Sequence, residues 1–463
     1  MRTLTSDASL SRACTSFVQD LAYATIPPAA LDRAKLHVAD LLACMIRGAG
    51  TTHAQPARDY ARATGGAPQA ALVGEKHKGP VGQAAFFNGY CGHIMEMDDV
   101  DRESITHPAT VVIPAALAVG ELRNASGRDL LTAVVAGYEV MLRIGAAVTP
   151  AHYAIWHTTG TAGAFGAAMA AGKLFGLVQP ELDWALGNAG TMASGLWQFN
   201  LDGGMTKFLH AGRAAENGVL AAYLATRGFS GATRILEGKQ GFFAGYARQN
   251  VNPAYFEDFG SRYRSAEVSI KPYPCCRHTH ASIDAADAVR RQIGNAAIKS
   301  VRVAVYDAAI QVASNDHPAT AQEAKFSLAF CAARTLLHGP LTNADFTAAT
   351  LNDAATRALM AVTSVRCDPA LDALMPSFWP SRVEVDCADG RTFAVQVDSP
   401  KGDPANPVGW REIAAKFDDL TEGFLSSAGR QELIDLCRNL EALPQADGLL
   451  DCINRHGELV GEA

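Results

Sequence analysis

HTTGTAGAFGAAMAAGKLFG, residues 157–176, is a stretch of Ala and Gly with a single formal charge at Lys173. Side chains this small let helix backbones approach closely, so the stretch reads as a buried helix at the centre of a helical domain. His157 stands just ahead of Thr158 and Thr159, natural N-cap residues. A histidine at a helix start sits beside backbone N–H groups that favour anions.

Helical patterns extend outward on both sides. Upstream, residues 109–147 read as two helices separated by Asn124-Ala-Ser-Gly127, and Gly82–Met97 as a helix leading into a group of acids. Residues 51–80 hold one more helix and a Gly/Lys-rich connection. In Ser9–Ala49, Leu31, Ala34, Val38, Leu41 and Leu42 recur at helical spacing after Pro27 and Pro28. Asp40 in that apolar stripe reads as a capped or paired core acid. Downstream, Leu182–Leu236 continues as helices with turns at Asn200–Gly204 and Arg227–Gly231.

The character changes near residue 268. Glu267–Tyr273 and Val301–Tyr306 alternate like strands, and Arg382–Cys387 and Thr392–Val397 are joined through Ala388-Asp389-Gly390, a hairpin signal. Ser282–Ile293 and Gln322–Leu337 read as helices between them. Pro400–Pro407 is a linker, and Trp410–Leu443 returns to amphipathic helix. The expected architecture is mainly α: a large all-α domain from both chain ends, residues 1–267 and 401–463, with an inserted smaller α+β domain over 268–400. A cleft between two such domains is a natural ligand site.

At 463 residues and 48% apolar composition the chain can bury a large core. The formal charge of −7 and the lack of a Lys/Arg-rich run argue against nucleic acid as a partner. The ten cysteines are scattered apart from Cys275 and Cys276, and Cys44, Cys331 and Cys437 lie in apolar helical patterns, which fits a reducing, cytoplasmic setting. The first twenty or so residues lack a basic segment followed by an apolar run, so no signal peptide is expected. Apolar stretches break before the roughly 20 residues that span a bilayer, so no membrane is expected.

Four clusters could carry chemistry. CGHIMEMDDVDRESITHPATVVIP, residues 91–114, sets Glu96, Asp98 and Asp99 among apolar residues, with His93 before and His107 after. Charge placed there is costly unless it is paired or used. The second cluster is His157. The third is Thr206–His210, where Lys207 and His210 share a helical face. The fourth is KPYPCCRHTH, Lys271 to His280. Each also has a structural reading: hydrogen-bonded core histidines for His93, His210 and His278, helix-end electrostatics for the acids, a solvated Lys207 after its Asp-Gly-Gly turn. Adjacent cysteines lack Cys-x-x-Cys spacing, so no metal is expected. Nucleotide-binding glycine motifs and G-x-S-x-G are absent from the sequence. Lysines with histidines suit a substrate bearing carboxylates. Lys207 and Lys271 could hold two carboxylates, a histidine could move a proton beside one, and the lysines would stabilise the enediolate that forms.

These pieces, in order along nearly the whole chain, resemble the MmgE/PrpD family. They are H-x-x-E-x-D-D at His93–Asp99 with His107-Pro108, Gly137-Tyr138-Glu139, and His157-x-x-Gly160-Thr161. Thr206-Lys207-x-x-His210-x-Gly-x-Ala, Lys271-Pro-Tyr-Pro-Cys-Cys-Arg-x-Thr-His280, Ala324-Lys-Phe-Ser327 and Asn406-Pro407 complete them. The resemblance implies an all-α domain with an α+β lid, a homodimer, no redox cofactor, and a small di- or tricarboxylate as substrate. Members of the family include 2-methylcitrate dehydratases, cis-aconitate decarboxylases and an iminodisuccinate epimerase. It places the catalytic residues at His107, His157, Lys207 and Lys271, and the substrate-binding ones at Glu96, Asp98, Cys276, Arg277 and His280. Glu96 stands where Asp is common, Val100 where Thr is common, and Cys276 where decarboxylases place a histidine. The Glu96–His107 spacing is also one residue longer than in the decarboxylases. The scaffold is thus expected to be kept and the pocket altered.

The function expected is a cofactor-independent lyase that dehydrates a 2-methylcitrate-like substrate. Lys207 and Lys271 would bind carboxylates, while His157 and His107 divide the roles of base and acid. The alternatives are a dicarboxylate epimerase, a cis-aconitate decarboxylase-like enzyme, and a polycarboxylate-binding protein without turnover.

Overall fold

Helices make up most of residues 9–247 and 250–457, the part of the chain that the computed structural model describes. The chain divides into two compact units, Met1–Val268 with Gly409–Ala463, and Ser269–Val408.

In the first unit the Ala/Gly stretch forms helix Thr158–Phe175, with His157 at its N-cap and every residue from Thr158 to Gly172 buried. Helices Ala109–Leu122, Gly127–Val148, Glu181–Thr191 and Thr206–Ala225 pack around it. A Cβ added at Gly137 would lie 2.7 Å from the Gly166 carbonyl oxygen, and one at Gly166 would lie 2.9 Å from that of Gly137. Two helices meet this closely only where neither carries a side chain. Helix Gly127–Val148 is long and apolar enough to cross a membrane by length and composition, longer than the unbroken stretches expected from the sequence. It is buried within its unit and carries the buried ion pair of Glu139 and Arg143.

Helix Pro28–Ala49 takes a proline at its first turn, where no N–H is needed, and helix Trp410–Thr421 from the other end of the chain packs along it. Lys416 Nζ reaches Asp40 Oδ1 at 2.5 Å, so Asp40 is a paired core acid. Burial lifts Asp40 to about 6 against the pull of Lys416. The expected single helix Trp410–Leu443 is instead two, Trp410–Thr421 and Ser427–Arg438. Gly423 turns the chain at φ 81°, and the Ser426 hydroxyl accepts from Gly429 N at the new start.

The second unit holds a four-stranded sheet in the order Thr363–Cys367, Ile298–Val305, Ser381–Cys387, Thr392–Val397. The first pair is parallel and the others antiparallel. The Ala388–Gly390 hairpin forms, with Gly390 at φ 88°. Helix His280–Ile293 lies on the hairpin strands, and helix Leu328–His338 packs beside it. Two expectations change here. Glu267–Tyr273 is not a strand: Arg264–Glu267 is a turn of 3₁₀-helix, and Ile270 N donates to Gly402 O at 3.0 Å. The run Gln322–Leu337 is broken at Lys325–Ser327, where Ser327 caps the new helix by accepting from Phe330 N.

Candidate active site

Helix Val81–His93 ends at His93, earlier than the expected Met97, and the chain turns through Ile94–His107 before helix Ala109–Leu122. Glu96, Asp98 and Asp99 are all buried in this turn. Asp99 anchors it. Its Oδ1 accepts from Ala109 N at 2.9 Å, within the first turn of the next helix, where a carboxylate is favoured. Its Oδ2 accepts from Tyr138 Oη at 2.8 Å and faces His37 Nδ1 at 3.1 Å. Lys416 Nζ ties the turn from the C-terminal side by donating to Met97 O at 2.6 Å.

The turn presents two histidines. His107 Nδ1 lies 2.7 Å from the Asp99 carbonyl oxygen. A carbonyl can only accept, so Nδ1 carries a proton and Nε2 of the neutral ring bears the lone pair. His93 Nδ1 meets Asp98 Oδ2 at 2.8 Å, and Asp98 Oδ2 also stands 3.4 Å from His107 Nδ1. His93 Nε2 is buried and has no hydrogen-bond partner among the described residues.

Helix starts bring in the rest. His157, at the N-cap of Thr158–Phe175, lies with its ring 5.8 Å from that of His93 and nearly parallel to it, and 6.4 Å from that of His107. Its Nε2 too is buried without a partner among the described residues. Lys207, in the first turn of helix Thr206–Ala225, puts Nζ 2.5 Å from Glu96 Oε1. Burial, then Lys207, His93 and His210, hold His157 well below the usual histidine range. His157 is therefore a neutral imidazole beside an ammonium group. Such a ring can take a proton from a carbon next to a carboxylate held by that ammonium.

Of the residues expected from the sequence, Glu96, Asp98, His107, His157 and Lys207 meet within the first unit. His93, read above as structural, stands between His107 and His157. Its ring centroid is 4.9 Å from that of His107. His93 and His107 are fourteen positions apart, and they meet because the chain turns back between the end of one helix at His93 and the start of the next at Ala109.

Lys271, Cys276, Arg277 and His280 belong to the second unit, where all four are buried. Cys276 N donates to Lys325 O at 2.9 Å. Arg277 donates to Lys401 O at 2.9 Å, and its Nη1 lies 3.0 Å from His280 Nδ1. His280 Nε2 lies 3.2 Å from Cys275 O, which can only accept. His280 therefore carries its proton at Nε2 and accepts from Arg277 at Nδ1, and together the two fix the Cys275–Lys401 backbone. His278 bonds Tyr306 Oη at 2.6 Å and stacks on Trp379 at 4.5 Å, a neutral packing residue that burial lowers to about 3.

Two groups of side chains, His93–Asp98–His107 and Glu432–Cys452–His456, place ligand-type atoms within 4.8 Å of one another. In each, a histidine–carboxylate hydrogen bond of 2.8 Å already satisfies part of the donor set.

The chain matches the MmgE/PrpD N-terminal domain over residues 12–253 and the MmgE/PrpD C-terminal domain over residues 273–442. A cis-aconitate decarboxylase of Aspergillus terreus is 29% identical over 473 residues, covering 95% of this chain and 94% of that protein. The human cis-aconitate decarboxylase is 30% identical over 391 residues, 79% of this chain and 77% of the human one. The cis-aconitate decarboxylase-like protein oryM of Aspergillus oryzae is 26% identical over 485 residues, 98% of this chain and 99% of that protein.

Proposed function

Because the chain belongs to the MmgE/PrpD family, we propose that it is a cofactor-independent lyase that acts on a small polycarboxylate by moving a proton at the carbon next to a carboxylate. The observation that carries this reading is the neutral, buried His157 beside the Lys207–Glu96 pair. In the preferred reaction, dehydration of a 2-methylcitrate-like hydroxy acid, Lys207 holds one carboxylate as a point charge. His157 Nε2 takes the carbon-bound proton, and the electron pair is delocalised into the carboxylate as an enediolate beside Lys207. The C–O bond then breaks. The proton leaves with the hydroxyl as water, passed back from His157 or through His107, so both rings end neutral. Lys271 is proposed as a second carboxylate ligand on the strength of its sequence motif, and its substitution tests that role. A homodimer and a cytoplasmic setting complete the proposal, with light scattering and cell fractionation as their tests.

The names of the relatives favour a second reading, decarboxylation of cis-aconitate. The same lysine would then stabilise charge left by departing CO₂, and a histidine would deliver the proton. Incubation of the purified protein with 2-methylcitrate, citrate and cis-aconitate in the presence of EDTA separates the two. Rising ultraviolet absorbance from a new conjugated double bond supports dehydration, and CO₂ release from cis-aconitate supports decarboxylation. Solvent-deuterium uptake into a dicarboxylate without either change would point to an epimerase. Binding without any of the three would leave a binding protein.

A further inference from the structure

His210 lies one turn beyond Lys207 on helix Thr206–Ala225, partly buried, with its Nδ1 3.2 Å from Nδ1 of His157. Two imidazole nitrogens in hydrogen-bond contact share one proton: one donates and the other accepts. The charged or titratable groups that act on this pair are Lys207 and His93, and both disfavour a positive charge on it. Burial acts in the same direction and lowers His210 to about 4. The rings of Trp197 and Phe199, at 4.8 Å from His157 and 5.4 Å from His210, are uncharged. At neutral pH both imidazoles are thus neutral, and their contact decides where His157 keeps its proton.

The two arrangements have opposite consequences. If His210 donates, His157 carries its proton on Nε2 and can take no other there. If His210 accepts, His157 keeps Nδ1–H, and its buried Nε2 bears the lone pair. Building on the lyase reading, we propose that His210 is a positioning residue whose Nδ1 accepts from His157 Nδ1–H and so holds His157 as the base at Nε2. When Nε2 takes the substrate proton, Nδ1–H stays in place. Its bond to His210 becomes charge-assisted and steadies the imidazolium until the proton leaves. The arrangement supplies through a neutral ring the orientation that a buried carboxylate supplies in other acid–base pairs.

Nitrogen-15 NMR of the histidine-labelled full chain reads the tautomer directly, with His157→Gln assigning the signals. At pH 7 His157 is expected to show a protonated Nδ1 and an unprotonated Nε2. In His210→Leu that preference is expected to be lost, with kcat reduced about 10- to 100-fold and KM within about twofold. His210→Asn, whose side-chain oxygen can accept at the same place, is expected to restore the tautomer and most of kcat. Protonation of His157 at Nε2 in the unmodified chain overturns the proposal, as does an equal loss of kcat in both variants with the tautomer unchanged. The unmodified chain alone decides the first point should His210→Leu fail to fold. The expected tautomer in a protein that turns over no polycarboxylate would leave the positioning role standing and remove the lyase reading instead.

Discussion

Lys207 Nζ stands 2.5 Å from Glu96 Oε1 inside the first unit, and Glu96 meets it from a left-handed backbone, φ 58°. A residue with a Cβ pays about 1–2 kcal/mol for that conformation, and the buried ion pair offsets it. The pairing also sets the entry condition for a substrate. An incoming carboxylate must share Lys207 with Glu96 or draw it away.

Removal of the ammonium group leaves Glu96 buried opposite an apolar side chain. Lys207→Ala is expected to lower stability by about 3–5 kcal/mol at pH 7 and to abolish the thermal shift given by polycarboxylates. Lys207→Met combined with Glu96→Gln should recover most of the stability and none of the turnover. Urea unfolding of the single and double variants checks this. Equal instability in both would show that the charge pair is not what is lost.

Asp99 connects Tyr138, His37, Ala109 and His107 through its two carboxylate oxygens and its carbonyl. Tyr138→Phe removes one donor from a buried carboxylate and is expected to cost about 1–3 kcal/mol with a small effect on kcat. Asp99→Ala also unties the turn that holds His107 and should reduce kcat far more than Tyr138→Phe does. Stopped-time assays beside denaturant titrations measure both. Unchanged kcat in Asp99→Ala would mean that His107 is held by other contacts.

Helix contact through bare backbone gives a test of packing. Gly166→Ala would push a Cβ to 2.9 Å from Gly137 O and 2.7 Å from Met141 Cβ. A loss of about 1–3 kcal/mol is expected from the overpacking, read as a lower unfolding midpoint. A neutral or stabilising Gly166→Ala would contradict the close approach.

Much of this was legible in the sequence, and the physical reason differs from element to element. The small residues of 157–176 located the central helix, since only a narrow helix suits that composition. Thr158 and Thr159 do not cap it, however: His157 holds the N-cap without a side-chain bond, and the Thr159 hydroxyl accepts from His107 N instead. Ala388-Asp389-Gly390 located the hairpin because a turn with positive φ calls for glycine. Strand Thr363–Cys367 was not legible, because among the described residues it pairs only with Ile298–Val305, at the sheet's edge, and leaves most of its side chains outside the core. Glu267–Tyr273 alternates like a strand, yet only a short run of its backbone finds a partner. In the site, charge among apolar residues marked Glu96, Asp98 and Asp99. The approach of His93 to His157, and of His210 to the same ring, comes from helices far apart in sequence.

pH provides a further check. His157, His210 and His278 are all held below their ordinary value by burial, His210 to about 4 and His278 to about 3. The unfolded chain takes up these protons below about pH 6.5, whereas the folded chain does not until each lowered value is reached. Stability conferred by the neutral rings is therefore complete above about pH 6.5 and is lost as the pH falls. Each ring contributes up to about 1.4 kcal/mol per pH unit in that window. Asp40, raised to about 6, acts in the opposite sense, because the folded state keeps its proton longer. His37 and His152 are lowered by burial too, and Asp101, Glu216 and Asp284 are raised by burial as Asp40 is, so five histidines act against four acids. The urea midpoint should fall between pH 6.5 and 4, less steeply in His278→Phe. A midpoint that rises over that range would show these rings to be charged in the folded protein.

Proton transfer by His157 beside Lys207 is tested most directly by following a polycarboxylate panel in heavy water, in the presence of EDTA, with the unmodified protein, His157→Gln and Lys207→Ala. The unmodified protein should turn over one member and place solvent deuterium at the carbon next to a carboxylate where the proton is returned, while each variant loses at least about 100-fold in rate. Undiminished turnover in His157→Gln, or turnover that disappears with EDTA, would contradict it.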